Sequence, residues 1–324
     1  MKRLMKAGAI DGFGPPSVLR LHKLPIPEPG PDEILIALTA AGVGVWDAEV
    51  RDGSWQPAGK PKFPFVLGTD GAGMVAAKGA RVRRFNVGER VWAYSYANPK
   101  GGFYAEYVAV KARDAGRVPK HLDLLQAGAA PTTGLTALQG IEDQLRLRPS
   151  DTLLVYGASG AVGTLAVQFA KRRGARVIGT ATGRQAMGLV RKLGADEVFD
   201  AGSAKASEHL GELASKGIDA ALVLASGESL GKCLALVRKG GCIAFPHGVE
   251  PEPKRRRGVR VSAYDAVAGP PEFEHLERAA AEIRLRVPIA GVFSLAQSAN
   301  AHARLERGHV LGRIVLQIRP TQRK

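Results

Sequence analysis

The feature that most constrains this chain is a short glycine-rich turn near its middle. Residues 155–163 read Val-Tyr-Gly-Ala-Ser-Gly-Ala-Val-Gly. An apolar run typical of a buried strand (residues 152–156) precedes the turn, and apolar side chains at helical spacing (residues 161–173) follow it. A strand, a glycine turn and a helix in this order are typical of dinucleotide-binding sheets. The sequence therefore predicts a dinucleotide site in a parallel α/β sheet.

The residues of the turn have separate expected tasks. The spacing A-x-G-x-x-G falls on Ala158, Gly160 and Gly163, with Gly157 ahead of it. Gly160 lets the backbone approach a pyrophosphate, Gly163 lets the helix pack on the strand, and the first N–H groups of the helix face the anion. The alternative is a glycine-rich turn without a ligand. The predicted cofactor contacts in the turn are Gly157, Ala158, Ser159, Gly160, Ala161, Val162 and Gly163.

The end of the next strand bears on which dinucleotide binds. NAD-binding sheets usually place an acidic residue there to hold the ribose. This chain has Gly-Thr-Ala-Thr-Gly-Arg at residues 179–184, which offers the hydroxyls of Thr180 and Thr182 and the guanidinium of Arg184. An arginine binds a 2′-phosphate with two hydrogen bonds, whereas a carboxylate would repel it. We therefore predict NADPH rather than NADH, the alternative being that Arg184 is only an exposed residue at a helix start.

The pattern of strands and helices divides the chain into two kinds of segment. Short strand-like runs separated by turns fill the first third and predict a barrel or sandwich. From residue 152 to residue 245, apolar strands alternate with helices, which predicts a parallel sheet covered on both faces. A charged helix near residues 272–286 and a strand at 312–318 follow. A length of 324 residues agrees with two domains.

Composition excludes several classes of protein. No run of about 18 apolar residues is present, so no membrane-spanning helix is expected. We expect no secretory signal, because no apolar segment follows the charged start. Cys233 and Cys242 alone build neither a disulfide framework nor a zinc cluster, which fits a cytoplasmic location. The net charge of +16 favours anionic partners such as a phosphorylated cofactor, nucleic acid or acidic lipid, or serves solubility alone.

Several further short motifs occur in a characteristic order. They lie at residues 68–73 (GTDGAG), 87–91 (VGERV), 101–107 (GGFYAEY), 193–198 (LGADEV), 238–241 (RKGG), 301–302 (AH) and 305–313 (LERGHVLGR). With the glycine turn, they make nearly the whole chain resemble the zinc-free quinone oxidoreductase group of the medium-chain dehydrogenase/reductases. The resemblance implies a GroES-like β-barrel catalytic domain built from residues 1–120 and 267–324. A Rossmann NADP-binding domain (residues 121–266) is inserted between them, with the active-site cleft at their junction and a homodimer or homotetramer as the assembly.

The resemblance also bears on zinc. Zinc-dependent relatives carry a Cys-His pair where Gly44 and Val45 stand, a His at the position of Thr69 and a Cys near Ala129 or Ala130. A zinc ion needs three or four N, S or O ligands. We therefore expect no catalytic zinc. A quinone, an enone or a related activated carbonyl is already electrophilic, so hydride transfer to such an acceptor from NADPH is the expected reaction.

Candidate catalytic residues come from the matched segments. Tyr94 and Tyr96 are candidate hydrogen-bond donors to the substrate, or aromatic residues of the barrel rim. Thr133 matches a residue that approaches the nicotinamide end of the cofactor in relatives, and helix packing is its alternative role. Asp47 and Asp70 stand where relatives carry acids near the cleft. Neither is assigned a proton-transfer role, since solvent is a sufficient proton source for quinone reduction.

Two aromatic residues and a strand end complete the candidates. Trp46 and Trp55 form either an aromatic wall for a flat acceptor or ordinary core. Phe245 ends a predicted strand, and His247 follows where relatives contact the nicotinamide half of the cofactor. We place both residues in the cofactor site.

Some positions depart from the family pattern. Gly44 replaces an Asn, and Ala186 and Ala201 replace a Lys and a Tyr near the adenosine phosphate. These losses weaken the predicted preference for NADP. They also leave two alternatives to an NADPH-dependent quinone or enone reductase. One is a zinc-free alcohol or ketone reductase with a Tyr proton donor. The other is a non-catalytic protein that senses NADPH and engages nucleic acid through its basic surface, although the sequence has no nucleic-acid motif.

Overall fold

The fold is taken from a computed structural model that describes residues 3–55, 62–96 and 98–320. In this part of the chain the strands are, in order, β1 (Leu4–Ile10), β2 (Arg20–Pro25), β3 (Glu33–Val43), β4 (Phe65–Val66), β5 (Asp70–Lys78), β6 (Arg90–Tyr94), β7 (Tyr107–Lys111), β8 (Ala115–Arg117), β9 (Thr152–Tyr156), β10 (Arg176–Thr180), β11 (Glu197–Phe199), β12 (Ile218–Val223), β13 (Val237–Pro246), β14 (Arg260–Tyr264), β15 (Ile289–Ser294) and β16 (Arg313–Gln317). The α-helices are α1 (Val45–Asp52), α2 (Leu124–Gly128), α3 (Pro131–Gln139), α4 (Ala161–Arg172), α5 (Arg184–Lys192), α6 (Ala206–Leu213), α7 (Leu230–Ala235), α8 (Pro270–Glu282) and α9 (Ser298–Glu306). None of the helices in the described residues is long and apolar enough to cross a membrane.

The chain forms two compact units. The first comprises residues 1–132, 268–281 and 289–324, and the second comprises residues 133–267 and 282–288. The boundaries predicted from the sequence, at residues 120 and 266, stay a prediction.

The second unit is built on a parallel sheet with the strand order β11-β10-β9-β12-β13-β14. Counted along the chain, this order is 3-2-1-4-5-6, the doubly wound arrangement. The central strand β9 is apolar and buried over most of its length, as a strand covered on both faces must be. The order reverses between β9 and β12, so the carboxyl end of β9 lies at the switch point where such sheets bind ligands.

The first unit holds two sheets. β15, β16, β3, β5, β6 and β8 form one sheet in this order, with β7 also paired to β3. A small sheet pairs β2, β1 and β4 antiparallel. The core between these strands is apolar, and its largest members are fully buried aromatic side chains such as Phe85, Phe103 and Tyr104.

Helix α1 was not predicted from the sequence. Its buried residues include Asp47 and Arg51 beside Val50, so its inward face does not show the apolar periodicity that predicts a helix. The helix ends at Gly53, which adopts φ 84°, a left-handed conformation that suits glycine. Helices α2 and α3 follow each other closely and are separated before Pro131. A proline is well placed at such a helix start because it lacks an N–H group.

Candidate functional site

The glycine turn joins β9 to α4 at the switch point of the parallel sheet. Gly157 has φ +92°, and its N–H donates to Thr180 Oγ1 at 2.8 Å. A Cβ atom at Gly163 would lie 2.3 Å from the Gly157 carbonyl oxygen, so only glycine allows the helix to begin so close to the turn. At Gly160 the nearest atom to such a Cβ would be 3.6 Å away. The space over Gly160 is therefore open to a ligand.

The start of α4 fits an anion. Gly160 is the N-cap residue, and no side chain caps the helix there. The first N–H groups of a helix have no partner within it and carry a partial positive charge. Ser159, Ala161 and Val162 are half-buried, whereas Ala158 is fully buried beneath the turn. The turn therefore fits the pyrophosphate of a dinucleotide.

The residues predicted to select the cofactor lie in two environments. Thr180 is buried, and its hydroxyl accepts the Gly157 N–H, so it supports the turn from below. Thr182 and Arg184 are exposed. The Thr182 hydroxyl donates to Asp200 Oδ1 at 3.1 Å. The carboxylate of Asp200 therefore lies beside the predicted 2′-phosphate position.

The other predicted cofactor residues lie along the second unit. The Phe245 side chain is buried in the core of the second unit. Only its backbone therefore remains as a possible contact at the end of β13. His247 is exposed just beyond β13, with its Nδ1 3.0 Å from Asp265 Oδ2. Thr133 is buried in α3. The contacts of Phe245, His247 and Thr133 with a cofactor stay predictions.

A narrow pocket within the first unit has a volume of about 20 Å³, room for about one water molecule. Asp47 and Val50 of α1 line it, together with the aromatic side chains of Trp55 and Tyr96. The remaining lining residues are Phe65, Val66, Leu67, Gly68, Thr69, Asn98 and Gly102. The pocket is thus largely apolar and contains one carboxyl group.

The aromatic residues form one cluster at this pocket. The ring centroids of Trp55 and Tyr96 are 4.5 Å apart, and Trp46 packs edge-on against both. Trp46 is therefore packed behind the two rings that line the pocket. Tyr94 lies on β6 opposite Asp70, two residues before Tyr96. Tyr96 therefore lines the pocket, whereas Tyr94 is a strand residue paired with Asp70. The sequence could not distinguish the two tyrosines.

Asp47 is the buried acid of the pocket. Its Oδ2 atom accepts hydrogen bonds from the Gly44 N–H at 2.8 Å and from the Tyr104 hydroxyl at 3.2 Å. Its Oδ1 atom has no hydrogen-bond partner among the described residues. Burial raises the pKa of Asp47 to about 7, against the opposing effect of Arg313. This carboxyl group is therefore substantially protonated near neutral pH.

A chain of buried side chains continues from Asp47 to the surface. The Tyr104 hydroxyl is 3.1 Å from His302 Nε2, and Arg51 Nη1 is 3.2 Å from His302 Nδ1. Arg51 also pairs with Glu306, at 2.7 Å. Burial, reinforced by the positive charge of Arg51, lowers the pKa of His302 to about 3. The imidazole is therefore neutral, and burial likewise raises the pKa of Tyr104 well above its ordinary value.

A buried ion pair borders Asp47. Arg313 Nη2 donates to Asp70 Oδ1 at 2.9 Å, and Asp70 Oδ2 accepts the Thr132 N–H. A Cβ atom at Gly44 would lie 3.2 Å from Arg313 Nη2. The guanidinium therefore crowds the space that a side chain at position 44 would enter.

The zinc-ligand positions offer no metal-binding set. Gly44 and Val45 carry no donor side chain, and Thr69 carries only a hydroxyl. Across the described ranges, no three His, Cys, Asp or Glu side chains are grouped so that they could hold a metal ion. The residues at these positions do not fit a catalytic zinc.

Sequence reasoning missed most of the polar network. Tyr104 and His302 lie 198 positions apart, and Arg51 and His302 lie 251 apart. Only the fold brings them together. Asp265 directly follows a strand of the parallel sheet, a position that marks a residue as a candidate for the site. It was missed because β14 was not predicted from the sequence.

Comparison with known proteins supports both parts of the architecture. The family described as alcohol dehydrogenase GroES-like domain matches residues 30–120, and the family described as zinc-binding dehydrogenase matches residues 161–254. A quinone oxidoreductase from Sus scrofa is 30% identical over 316 residues, which cover 93% of this chain and 94% of that protein. These matches confirm the predicted combination of a GroES-like domain with a Rossmann-type parallel sheet.

Solved structures agree over almost the whole chain. An NAD-dependent alcohol dehydrogenase superposes with a TM-score of 0.90 at 30% identity, covering 97% of this chain and 100% of that one. A mycobacterial protein in complex with NADPH superposes with a TM-score of 0.85 at 28% identity, with the same coverage. The chain is therefore similar to proteins whose names include both nicotinamide cofactors.

Proposed function

Because the chain belongs to the quinone oxidoreductase-like group of the medium-chain dehydrogenase/reductases, we propose that it reduces quinones, enones or related activated carbonyls with NADPH. Membership of this group makes it a nicotinamide-dependent oxidoreductase. The acceptor class and the preference for NADPH are the proposed parts. The homodimer or homotetramer and the cytoplasmic location stay predictions.

The aromatic rings at the pocket of the first unit, which itself has room for a carbonyl oxygen but not for a ring, carry the proposal for the acceptor. Trp55 and Tyr96 give the pocket an aromatic wall, and Asp47 gives it one buried acid. A flat conjugated acceptor packs well against aromatic rings. Its carbonyl group accepts a hydrogen bond from a neutral acid. Such an acceptor is electrophilic before it binds, so no metal donor set is needed to polarise it.

The glycine turn and the residues after β10 support the proposal for the cofactor. When bound, NADPH supplies a hydride to the acceptor. The open space over Gly160 and the start of α4 fit its pyrophosphate. The exposed guanidinium of Arg184 is available to a 2′-phosphate. In this proposal the protein binds, orients and shields the reactants.

The test is a turnover assay with matched acceptors. We expect NADPH oxidation with naphthoquinone and cyclohexenone, and no comparable NADP⁺ reduction with cyclohexanol. The saturated ketone cyclohexanone is the control for activation, because it has the same ring without the conjugated double bond. Equal rates with cyclohexanone and cyclohexenone would contradict the proposed acceptor class.

One observation favours the alternative with a tyrosine donor. Tyr96 lines the pocket, and its ring packs against Trp55. If its hydroxyl delivers the proton, Tyr96→Phe abolishes reduction while NADPH binding persists. Our account predicts a change of less than about threefold in kcat, since the ring and its packing remain. Tyr94→Phe is the control variant at the neighbouring tyrosine.

A further inference from the structure

We propose that Asp47 is the catalytic acid of this enzyme and that it protonates the oxygen of the reduced acceptor. The inference rests on the proposed function. It gives a role in the chemistry to a residue to which the sequence assigned none. Geometry carries the argument: a fully buried carboxyl group lines the pocket and keeps one oxygen unpaired.

The position of Asp47 is set by the start of α1. As the third residue after the Gly44 N-cap, Asp47 reaches back to accept the Gly44 N–H through Oδ2. This interaction holds the side chain in one orientation. Oδ1 is left without a partner, although an unpaired buried polar atom costs free energy. Such an unpaired atom needs an explanation, and a ligand that completes the missing hydrogen bond supplies one.

The hydrogen bonds behind Asp47 can run in only one direction. Arg51 is solely a donor, so His302 Nδ1 must accept from it. His302 Nε2 therefore carries the imidazole hydrogen and donates it to the Tyr104 oxygen. The Tyr104 hydroxyl is then free to donate to Asp47 Oδ2.

This direction determines where a proton on Asp47 resides. Oδ2 already accepts two hydrogens, one from Gly44 and one from Tyr104. A third hydrogen on that atom would be crowded by both. The proton of the neutral acid therefore sits on Oδ1, the oxygen that the described residues leave without a partner. A carboxylic acid kept neutral by an apolar site is an effective hydrogen-bond donor.

The pKa of Asp47 depends on groups from each of the elements packed around it. Burial is the largest effect and raises the pKa, and Asp70 on β5 raises it further. Arg313 on β16, the Gly44 N–H and the Tyr104 hydroxyl lower it. His302 on α9 is neutral, and Arg51 is paired with Glu306. The resulting pKa of about 7 suits proton transfer near neutral pH.

The chemical step balances with the reduced nicotinamide as the reductant. The acceptor gains a hydride, that is, two electrons and one hydrogen nucleus, while the nicotinamide is oxidised. The acceptor oxygen becomes an anion, and a new O–H bond forms to it as the O–H bond at Asp47 Oδ1 breaks. Gly44 and Tyr104 then stabilise the carboxylate through Oδ2. Water entering the pocket after product release returns the proton.

The first test is Asp47→Asn, which preserves shape but cannot transfer a proton. We expect kcat for naphthoquinone reduction to fall about 100-fold, the usual scale of general acid catalysis, with NADPH affinity unchanged. Glu49→Gln is the matched control, because Glu49 is on the same helix and does not line the pocket. A folded Asp47→Asn protein with wild-type kcat would overturn the proposal. If NADPH does not bind the wild type, the proposed function fails instead.

The second test uses a residue that acts through Asp47. Tyr104→Phe removes a donor that stabilises the carboxylate, so the pKa of Asp47 rises. Wild-type kcat/KM should decline as pH rises through about 7, because the acid loses its proton. In Tyr104→Phe that decline should move to higher pH, whereas a purely structural role would lower the plateau and leave the inflection in place. An unmoved inflection would contradict the proposal.

A third measurement reads the proton without turnover. Infrared difference spectra between Asp47→Asn and wild type should show a protonated carboxyl band at neutral pH that vanishes at alkaline pH. The same pair of spectra in Tyr104→Phe background should show the band persisting to higher pH. The absence of any band assignable to Asp47 near pH 7 would overturn the proposal.

Discussion

Gly160 and Gly163 both satisfy the dinucleotide fingerprint, yet their surroundings differ. A side chain at Gly163 would collide with the backbone of the turn, whereas one at Gly160 would meet open space. The sequence predicted separate tasks for the two glycines, a packing role for Gly163 and a pyrophosphate role for Gly160, and the structure adds the distances that distinguish their surroundings.

This difference predicts opposite outcomes for two alanine variants. Gly163→Ala should lower the free energy of unfolding by about 1–3 kcal/mol, the usual cost of overpacking. Gly160→Ala should leave stability within about 1 kcal/mol of wild type, the cost of a modest surface change, and weaken NADPH binding at least tenfold, because its methyl group occupies the space over the turn. Denaturant unfolding and NADPH titration separate the two effects. Unchanged affinity in Gly160→Ala would contradict pyrophosphate binding at the turn.

Arg184 and Asp200 oppose each other at the predicted 2′-phosphate position. Arg184→Ala should weaken NADPH about tenfold, a typical loss of one charge-assisted contact, and leave NADH unchanged. Asp200→Asn should strengthen NADPH binding, because it removes a negative charge near the phosphate and keeps a partner for Thr182. Parallel titrations with NADPH and NADH measure both effects. An equal loss for both cofactors in Arg184→Ala would mean that this residue does not read the phosphate.

At the scale of elements, α1 and α9 are joined by a network whose two titrating members oppose each other. The pKa of His302 falls from 6.5 to about 3 in the folded state, so its contribution to stability is present above pH 6.5 and is lost as pH falls toward 3. The pKa of Asp47 rises from 3.8 to about 7, so its contribution is present below pH 3.8 and is lost as pH rises through 7. Between pH 3.8 and 6.5 the two contributions to the free energy of unfolding change with pH in opposite directions and cancel.

Single variants should expose the opposed slopes. Relative to wild type, Asp47→Asn should gain stability with rising pH between 3.8 and 6.5, and His302→Gln should lose it. Each slope should approach about 1.4 kcal/mol per pH unit, the value for one proton. Trp46, Trp55 and Trp92 all lie in the first unit, so tryptophan fluorescence reports its unfolding alone. Two variants with slopes of the same sign would contradict the network as described.

Elements whose buried face is apolar were predictable from the sequence. Helix α1, whose buried face carries charged side chains, was not. The apolar run of β9 and the periodic face of α4 appear within a residue of their predicted ends. Helix α1 escaped prediction because Asp47 and Arg51 occupy its buried side. Their burial depends on Tyr104 and His302, which no local pattern connects to them. The catalytic candidates proposed from sequence were Tyr94, Tyr96 and Thr133 rather than Asp47, because a buried acid cannot be distinguished locally from a solvated one.

At the scale of the molecule, the net charge of +16 has no single origin. The dense basic run at residues 254–257 is mostly exposed, as expected for a solvated loop. Arg256 is the exception, because it donates to the carbonyls of Leu234, Ala235 and Val237 at the end of α7. A surface with this excess of positive charge attracts an anionic cofactor, and salt screens that attraction.

The most direct test of the account is a fluorescence titration of the wild-type protein with NADPH, with NADH in parallel. We predict saturable NADPH binding that is at least about tenfold tighter than NADH binding, as expected for one additional charge-assisted phosphate contact. Equal affinities would contradict the role of Arg184. Binding of neither cofactor would contradict the central claim that this chain is an NADPH-dependent reductase.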